Sequence, residues 1–315
     1  MRIAYLIMTH ENPLLLRRTI SLLSCGDQEC GFFIHLDRKT AGKAFSSVRG
    51  QNVWFSEKRI PVYWGEFSQV EAILSLIRQA IASPNGYDYC VLITGSCFPL
   101  RTGGYIRRFF EENRGQECMD ILKVPGPGKP ISRFDTIRYP SHKPIRRFIY
   151  RALAKIGLAR RNHRKYLGGL EPYSGDGAWA LTREACQYLL NFISVNPHVE
   201  NFFRDTFASD EAFFQTILGN SPYRARMRRN LVYAIWPGPV NGHPAVIGEE
   251  DVSAFEAQDQ VCRNDIYGPG ELLFARKFND RRLDLVSRVE AMIEHKEGVR
   301  LPAPHDVLEE AGKRS

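Results

Sequence analysis

Ile3-Ala4-Tyr5-Leu6-Ile7-Met8, followed by Thr9-His10-Glu11-Asn12-Pro13, is the stretch that decides the fold. An unbroken apolar run of this length reads as a buried β-strand, with neither face turned to water. Asn12-Pro13 then opens a helix that carries Leu14, Leu15, Leu16, Ile20, Leu22 and Leu23. Phe32-Phe33-Ile34-His35-Leu36 forms a second apolar run, stopped by Asp37-Arg38-Lys39. A strand-like segment at Val53-Trp54-Phe55 and a strand end at Val62-Tyr63-Trp64 come next. A helix from Ser68 to about Ala82 follows, with Val70, Ile73, Leu74 and Ile77 on one face, and then a strand from Tyr89 to Ile93. Strand, helix and strand alternating in this way specify an α/β fold, a mainly parallel sheet flanked by helices, because parallel strands need crossover connections. Ligands of such sheets bind beyond the carboxyl ends of the strands, where Thr9-His10, Asp37 and Thr94-Gly95-Ser96 fall.

The chain has 315 residues, 43% hydrophobic and 25% charged, enough for one large catalytic unit over residues 1–283 with a C-terminal helix and polar tail over 284–315. A net charge of +8 favours an acidic partner: nucleic acid, an anionic membrane surface or a phosphorylated ligand. Charge alone does not choose among them, but no RNP or helix-turn-helix signature supports nucleic acid. The seven cysteines show no CxxC pair and read as free, mostly buried thiols of a reducing compartment. The apolar start is too short for a signal peptide or a membrane span, so a cytoplasmic location is expected. From Lys143 to Lys165 nine residues are Lys or Arg and none is acidic, with Ile145, Phe148, Ile149, Ala152, Leu153 and Ile156 at helical spacing. That pattern suits a helix lying on an anionic inner membrane face, an ordinary solvated helix packed through its apolar stripe, or a grip on an acidic acceptor.

Single residues leave their roles open. Ser209-Asp210-Glu211 ahead of Ala212, Phe213, Phe214 and Ile217 is a helix start, with Ser209 or Asp210 as cap and Glu211 as a first-turn charge or something more. Asp37 is a turn former or a ligand contact. Arg263 and Lys277 taken alone are solvated surface charges. His10 and His35 lack the matched spacing of a metal pair, and no Asp-x-Asp occurs in the chain. Gly268-x-Gly270 is a turn or a phosphate loop. Pro237 to Gln260 reads as loop, and the stretch from Asp284 onward as a surface helix and tail.

Taken together, several segments resemble the core-2/I-branching family (glycosyltransferase family 14), which includes β-1,6-N-acetylglucosaminyltransferases and peptide O-xylosyltransferases. They are Ala4-Tyr5-Leu6-Ile7 with His10; Ile34-His35-Leu36-Asp37-Arg38-Lys39; Val62-Tyr63-Trp64-Gly65 with Ser68-x-Val70-x-Ala72; and Tyr89-Cys90-Val91-Leu92-Ile93 with Phe98-Pro99-Leu100-Arg101-Thr102. Further on come Ser174 to Glu184, Ser209-Asp210-Glu211, and Gly268-x-Gly270-Glu271-Leu272 with Leu273-Phe274-Ala275-Arg276-Lys277-Phe278. The resemblance implies a GT-A type glycosyltransferase that works without a divalent metal or other cofactor. It implies transfer from a UDP-sugar, N-acetylglucosamine first and xylose second, to a glycan or lipid-linked glycan hydroxyl, forming a β-linkage with inversion. It also implies Glu211 as catalytic base, Lys277 and an upstream Arg, here Arg263, on the diphosphate, and Asp37 with His10 on the nucleotide side. Arg263 fits the family spacing only with one residue skipped before Gly268, and the segment from Trp236 to Arg263 departs from the animal enzymes.

Overall fold

The computed structural model describes residues 1–138, 148–149, 152, 155–236 and 244–301. The strands are β1 (Ile3–Thr9), β2 (Gly31–Leu36), β3 (Val53–Phe55), β4 (Tyr89–Thr94), β5 (Phe98–Pro99), β6 (Glu117–Met119), β7 (Leu122–Lys123), β8 (Tyr173–Ser174), β9 (Trp179–Thr182), β10 (Met227–Arg228), β11 (Val232–Ala234), β12 (Cys262–Asp265), β13 (Gly268–Glu271) and β14 (Phe274–Arg276). The helices described are α1 (Pro13–Ser24), α2 (Ser68–Ala82), α3 (Gly103–Glu112), α4 (Ser132–Asp135), α5 (His163–Tyr166), α6 (Arg183–Val195), α7 (Pro197–Arg204), α8 (Phe213–Gly219), α9 (Glu249–Glu256) and α10 (Leu283–Glu297).

Seven strands form the central sheet in the order β10-β6-β9-β4-β1-β2-β3. All neighbours run parallel except β9, which lies antiparallel between β4 and β6. The α/β expectation, a mainly parallel sheet flanked by helices, is met. Along β1 the side chains divide between two cores: Ala4 and Leu6 pack with Phe33 and the α2 residues Val70, Ile73 and Ile77. Ile3, Tyr5 and Ile7 pack on the other face with Leu16, Ile20 and Leu23 of α1 and Ile106 of α3. Every β1 residue from Ile3 to Ile7 is therefore buried, which is why the strand reads as continuous rather than alternating. The registers Met8↔His35 and Met8↔Thr94 bring the carboxyl ends of β1, β2 and β4 level.

The structure departs from the sequence reading at four places. Val62-Tyr63-Trp64 joins no ladder. Residues 249–256, read as loop, form α9: Glu249, Glu250 and Asp251 occupy its first turn, Asp251 accepts from the Gly248 amide at 2.8 Å, and Val252 and Phe255 are buried. Its acids are helix-start charges rather than loop polarity. The helix from Leu283 lies at the surface with Ser287, Ala291 and His295 exposed, but it is also a core element, since Leu285, Val286, Val289, Met292 and Ile293 are buried beside Leu15, Phe98 and Phe255. Gly268-x-Gly270 lies in the β12–β13 hairpin. All seven cysteines are free, five of them buried. Among the described residues no helix is long and apolar enough to cross a membrane. Of the basic stretch from Lys143 to Lys165, on which the membrane-helix reading rests, Lys143, Arg146, Arg147 and Arg151 lie outside the described residues.

Candidate active site

A cavity of about 540 Å³ opens at the carboxyl ends of β1, β2 and β4. One wall carries Thr9, His10, Asp37, Lys39 and Thr40. The Asp37 carboxylate accepts from the Lys39 amide at 2.9 Å, closing a turn, and the residue borders the cavity. His10 follows β1 and is exposed, with Glu11 3.8 Å away. His35 is a buried core histidine whose Nε2 accepts from the Ile60 amide. Burial pushes its imidazolium pKa down and keeps the ring neutral.

Asp176, Gly177, Asp210 and Glu211 also line the cavity. Ser209–Glu211 forms a 3-10 turn after Ala208, whose φ is 48°, and Glu211 precedes α8 rather than sitting in its first turn. Ser209 is buried with its hydroxyl unpartnered, and neither it nor Asp210 caps the helix. The main chain fixes the turn instead: the Glu211 carbonyl accepts from the Gly175 amide and the Ser174 hydroxyl, both at 2.8 Å. Gly175 is required there, since an added Cβ would stand 1.7 Å from the Asp120 carbonyl oxygen. The Glu211 carboxylate receives Arg133 at 2.9 Å and Lys129 at 3.5 Å. Asp210 accepts from Gln69 at 3.0 Å, and its carboxyl is pushed up to about 7 by burial, then by the charge of Glu211.

Arg276 and Lys277 line the cavity as well. Among the described residues no carboxylate lies within ion-pair distance of either, and the Arg276 Nε is buried without a partner. Burial first, and the Arg276 charge next, hold the Lys277 ammonium below its ordinary pKa. Two adjacent, partly desolvated cations facing one cavity favour an anion with more than one charged oxygen.

The cavity therefore gathers His10, Asp37, Glu211 and Lys277 but not Arg263. The Arg263 guanidinium lies 4.6 Å from the Tyr233 ring and donates to the Ala234 carbonyl at 3.2 Å, outside the cavity lining. Arg276 stands beside Lys277 in its stead. Arg276 was visible as the residue before Lys277, and Asp176 within the Ser174 to Glu184 segment, but nothing local marked either. Lys129 and Arg133 carry no sequence signal. Trp64 and Trp236, 54% and 47% exposed, stand as aromatic walls at the cavity.

The model of the Core-2/I-branching enzyme family matches residues 3–259. The chain belongs to this family. It is similar to the N-acetyllactosaminide β-1,6-N-acetylglucosaminyltransferase of Mus musculus, 24% identical over 78% of this chain and 61% of that protein. The β-1,3-galactosyl-O-glycosyl-glycoprotein β-1,6-N-acetylglucosaminyltransferase of Homo sapiens is 24% identical over 68% of this chain and 48% of its own length. Xylosyltransferase 2 of Rattus norvegicus is 23% identical over 70% and 25%. The chain thus spans about half the length, or less, of most curated relatives it matches. Among solved structures, the galactosyltransferase LgtC with donor and acceptor sugar analogs aligns over 98% of this chain and 99% of that one, with a TM-score of 0.40 and 11% identity. Among the described residues no group of three His, Cys, Asp or Glu is arranged to hold a metal ion.

Proposed function

We propose that this family member is an inverting glycosyltransferase that moves N-acetylglucosamine from its UDP donor to a glycan hydroxyl, without a divalent metal. One observation carries the reading: a single cavity holds a carboxylate, Glu211, and the cations Arg276 and Lys277, which among the described residues lack carboxylate partners. Glu211 takes the proton of the acceptor hydroxyl as that oxygen attacks the anomeric carbon. The bond from that carbon to the UDP oxygen breaks on the opposite face, so an α-linked donor gives a β-linked product. The electron pair passes to the leaving diphosphate, where Arg276 and Lys277 meet the growing charge. General-base help of this kind contributes about 100 to 10,000-fold in rate, and a preorganised donor to a developing oxyanion about 3 to 4 kcal/mol. Asp37 and His10 lie on the nucleotide side. UDP-xylose is the second donor reading, favoured by the xylosyltransferase relatives, whose identity to this chain equals that of the others within a few per cent.

Calorimetric titration with UDP and with uridine tests the cation pair. Lys277→Ala and Arg276→Ala are expected to weaken UDP by about tenfold or more while sparing uridine, since each lost contact is a charge-assisted bond to phosphate. Arg263→Ala is expected to weaken UDP less than either, and Asp37→Ala to weaken both ligands. Equal losses for UDP and uridine in the Lys277 variant contradict a diphosphate role.

A further inference from the structure

A second concavity, of about 710 Å³, lies between Ile131–Thr136 and Arg160–Arg164. Three arginines, one histidine and a single acid, Asp135, line it. Asp135 is already engaged by His163 at 2.6 Å. Arg161 holds the groove together: its guanidinium donates to the carbonyls of Phe134 and Phe202 at 2.9 and 2.7 Å and to Thr206. Arg160 and Arg164 are different, being exposed and, among the described residues, without a carboxylate partner. Main-chain bonds from Ile137 to Ala159 and from Arg161 to Asp135, at 2.9 and 2.8 Å, fix this basic segment against α4. Four-residue α4 also supplies Arg133, which reaches the Glu211 carboxylate. One short helix therefore joins the carboxylate at the reacting end of the cavity to a cationic groove.

From this juxtaposition we infer that the groove seats an anionic group, a carboxylate or a phosphate, of the glycan acceptor. The inference rests on the function proposed above and names the acceptor class it leaves open. Guanidinium forks match the paired oxygens of carboxylate and phosphate. The groove has the volume of a small-ligand site, and it is concave, so a saccharide unit enters it where a flat bilayer surface does not. It stands apart from Arg276 and Lys277, which border the other cavity and are left to the donor diphosphate.

The test uses an oligosaccharide of alternating glucuronate and N-acetylglucosamine, and its carboxyl-reduced neutral counterpart, titrated into the UDP-loaded full chain. The acidic form is expected to bind about tenfold or more tighter at low salt, with the preference shrinking as salt screens the charges. Arg160→Glu with Arg164→Glu is expected to abolish the preference in a protein whose folding is verified by its UDP affinity. Equal binding of the two forms, binding of neither, or a preference that persists in the double variant overturns the inference. So does binding to vesicles of anionic lipid that is lost in the double variant while the two oligosaccharides bind alike, which assigns the arginines to a membrane surface. Failure of the wild-type chain to bind UDP at all counts instead against the proposed function.

Discussion

Glu211 is placed by its main chain, and its side chain is left to the cavity. The Gly175 amide and Ser174 hydroxyl hold its carbonyl, while Arg133 and Lys129 orient the carboxylate from one side. Glu211→Gln keeps the size of the group and removes its capacity to take a proton. Turnover measured as acceptor-dependent UDP release is expected to fall by about 100-fold or more with UDP affinity retained; wild-type turnover in that variant would make Glu211 a structural charge. Asp210, its neighbour, gives a second residue-level expectation. Its carboxyl is pushed up to about 7 in the fold, from 3.8, chiefly by burial. Between these values the folded chain keeps a proton that the unfolded chain releases. Stability from this group is thus lost as pH rises from about 4 to about 7 and is level above that. Asp210→Asn is expected to remove the loss, so that the stability of the variant relative to wild type rises between pH 4 and pH 8. Thermal unfolding at the two pH values reads it, and an unchanged wild-type slope in the variant contradicts it.

Helix α1 shows what an element owes to distant sequence. Asn12 precedes it with φ at 62° and makes no side-chain cap. The amides of its first turn, which have no partner within the helix, are met by Asp280, which accepts from Leu14 at 3.2 Å and Leu15 at 2.8 Å. Asp280→Ala is expected to cost about 1 kcal/mol, the worth of an N-terminal cap, read by urea denaturation; a cost near zero means the amides are satisfied by solvent. The same example explains which parts of the fold were legible in advance. β1, β2 and β4 announce themselves as unbroken apolar runs and α2 by its helical periodicity, and the ends of those runs mark where His10 and Asp37 emerge. α9 hid because three acids in succession resemble a loop until Asp251 is seen capping Gly248. Lys129, Arg133, Arg276 and Asp176 were illegible as site residues for a related reason: their roles are set by contacts across the fold, and only the folded chain supplies the neighbour.

Across the molecule, the carboxyl ends of the central strands organise both charge and shape. The parallel strands deliver His10, Asp37 and the Thr94-Gly95-Ser96 turn to one rim. The excursion after β9 brings Asp210 and Glu211 to the same cavity, and β14 with the residue after it returns late in the chain to add Arg276 and Lys277. The positive balance of +8 is thereby put to local use, with one cation pair at the cavity and another cationic site beside α4. In the proposed reaction Glu211 and the pair Arg276 and Lys277, which line one cavity, serve sugar transfer without a divalent metal. The most direct measurement is UDP release from UDP-N-acetylglucosamine and UDP-xylose in saturating EDTA, for wild type and Glu211→Gln side by side. Wild-type release from one of these donors is expected to be preserved in EDTA and reduced about 100-fold in the variant; activity that disappears in EDTA and returns with manganese, or that ignores the loss of Glu211, contradicts the proposed mechanism.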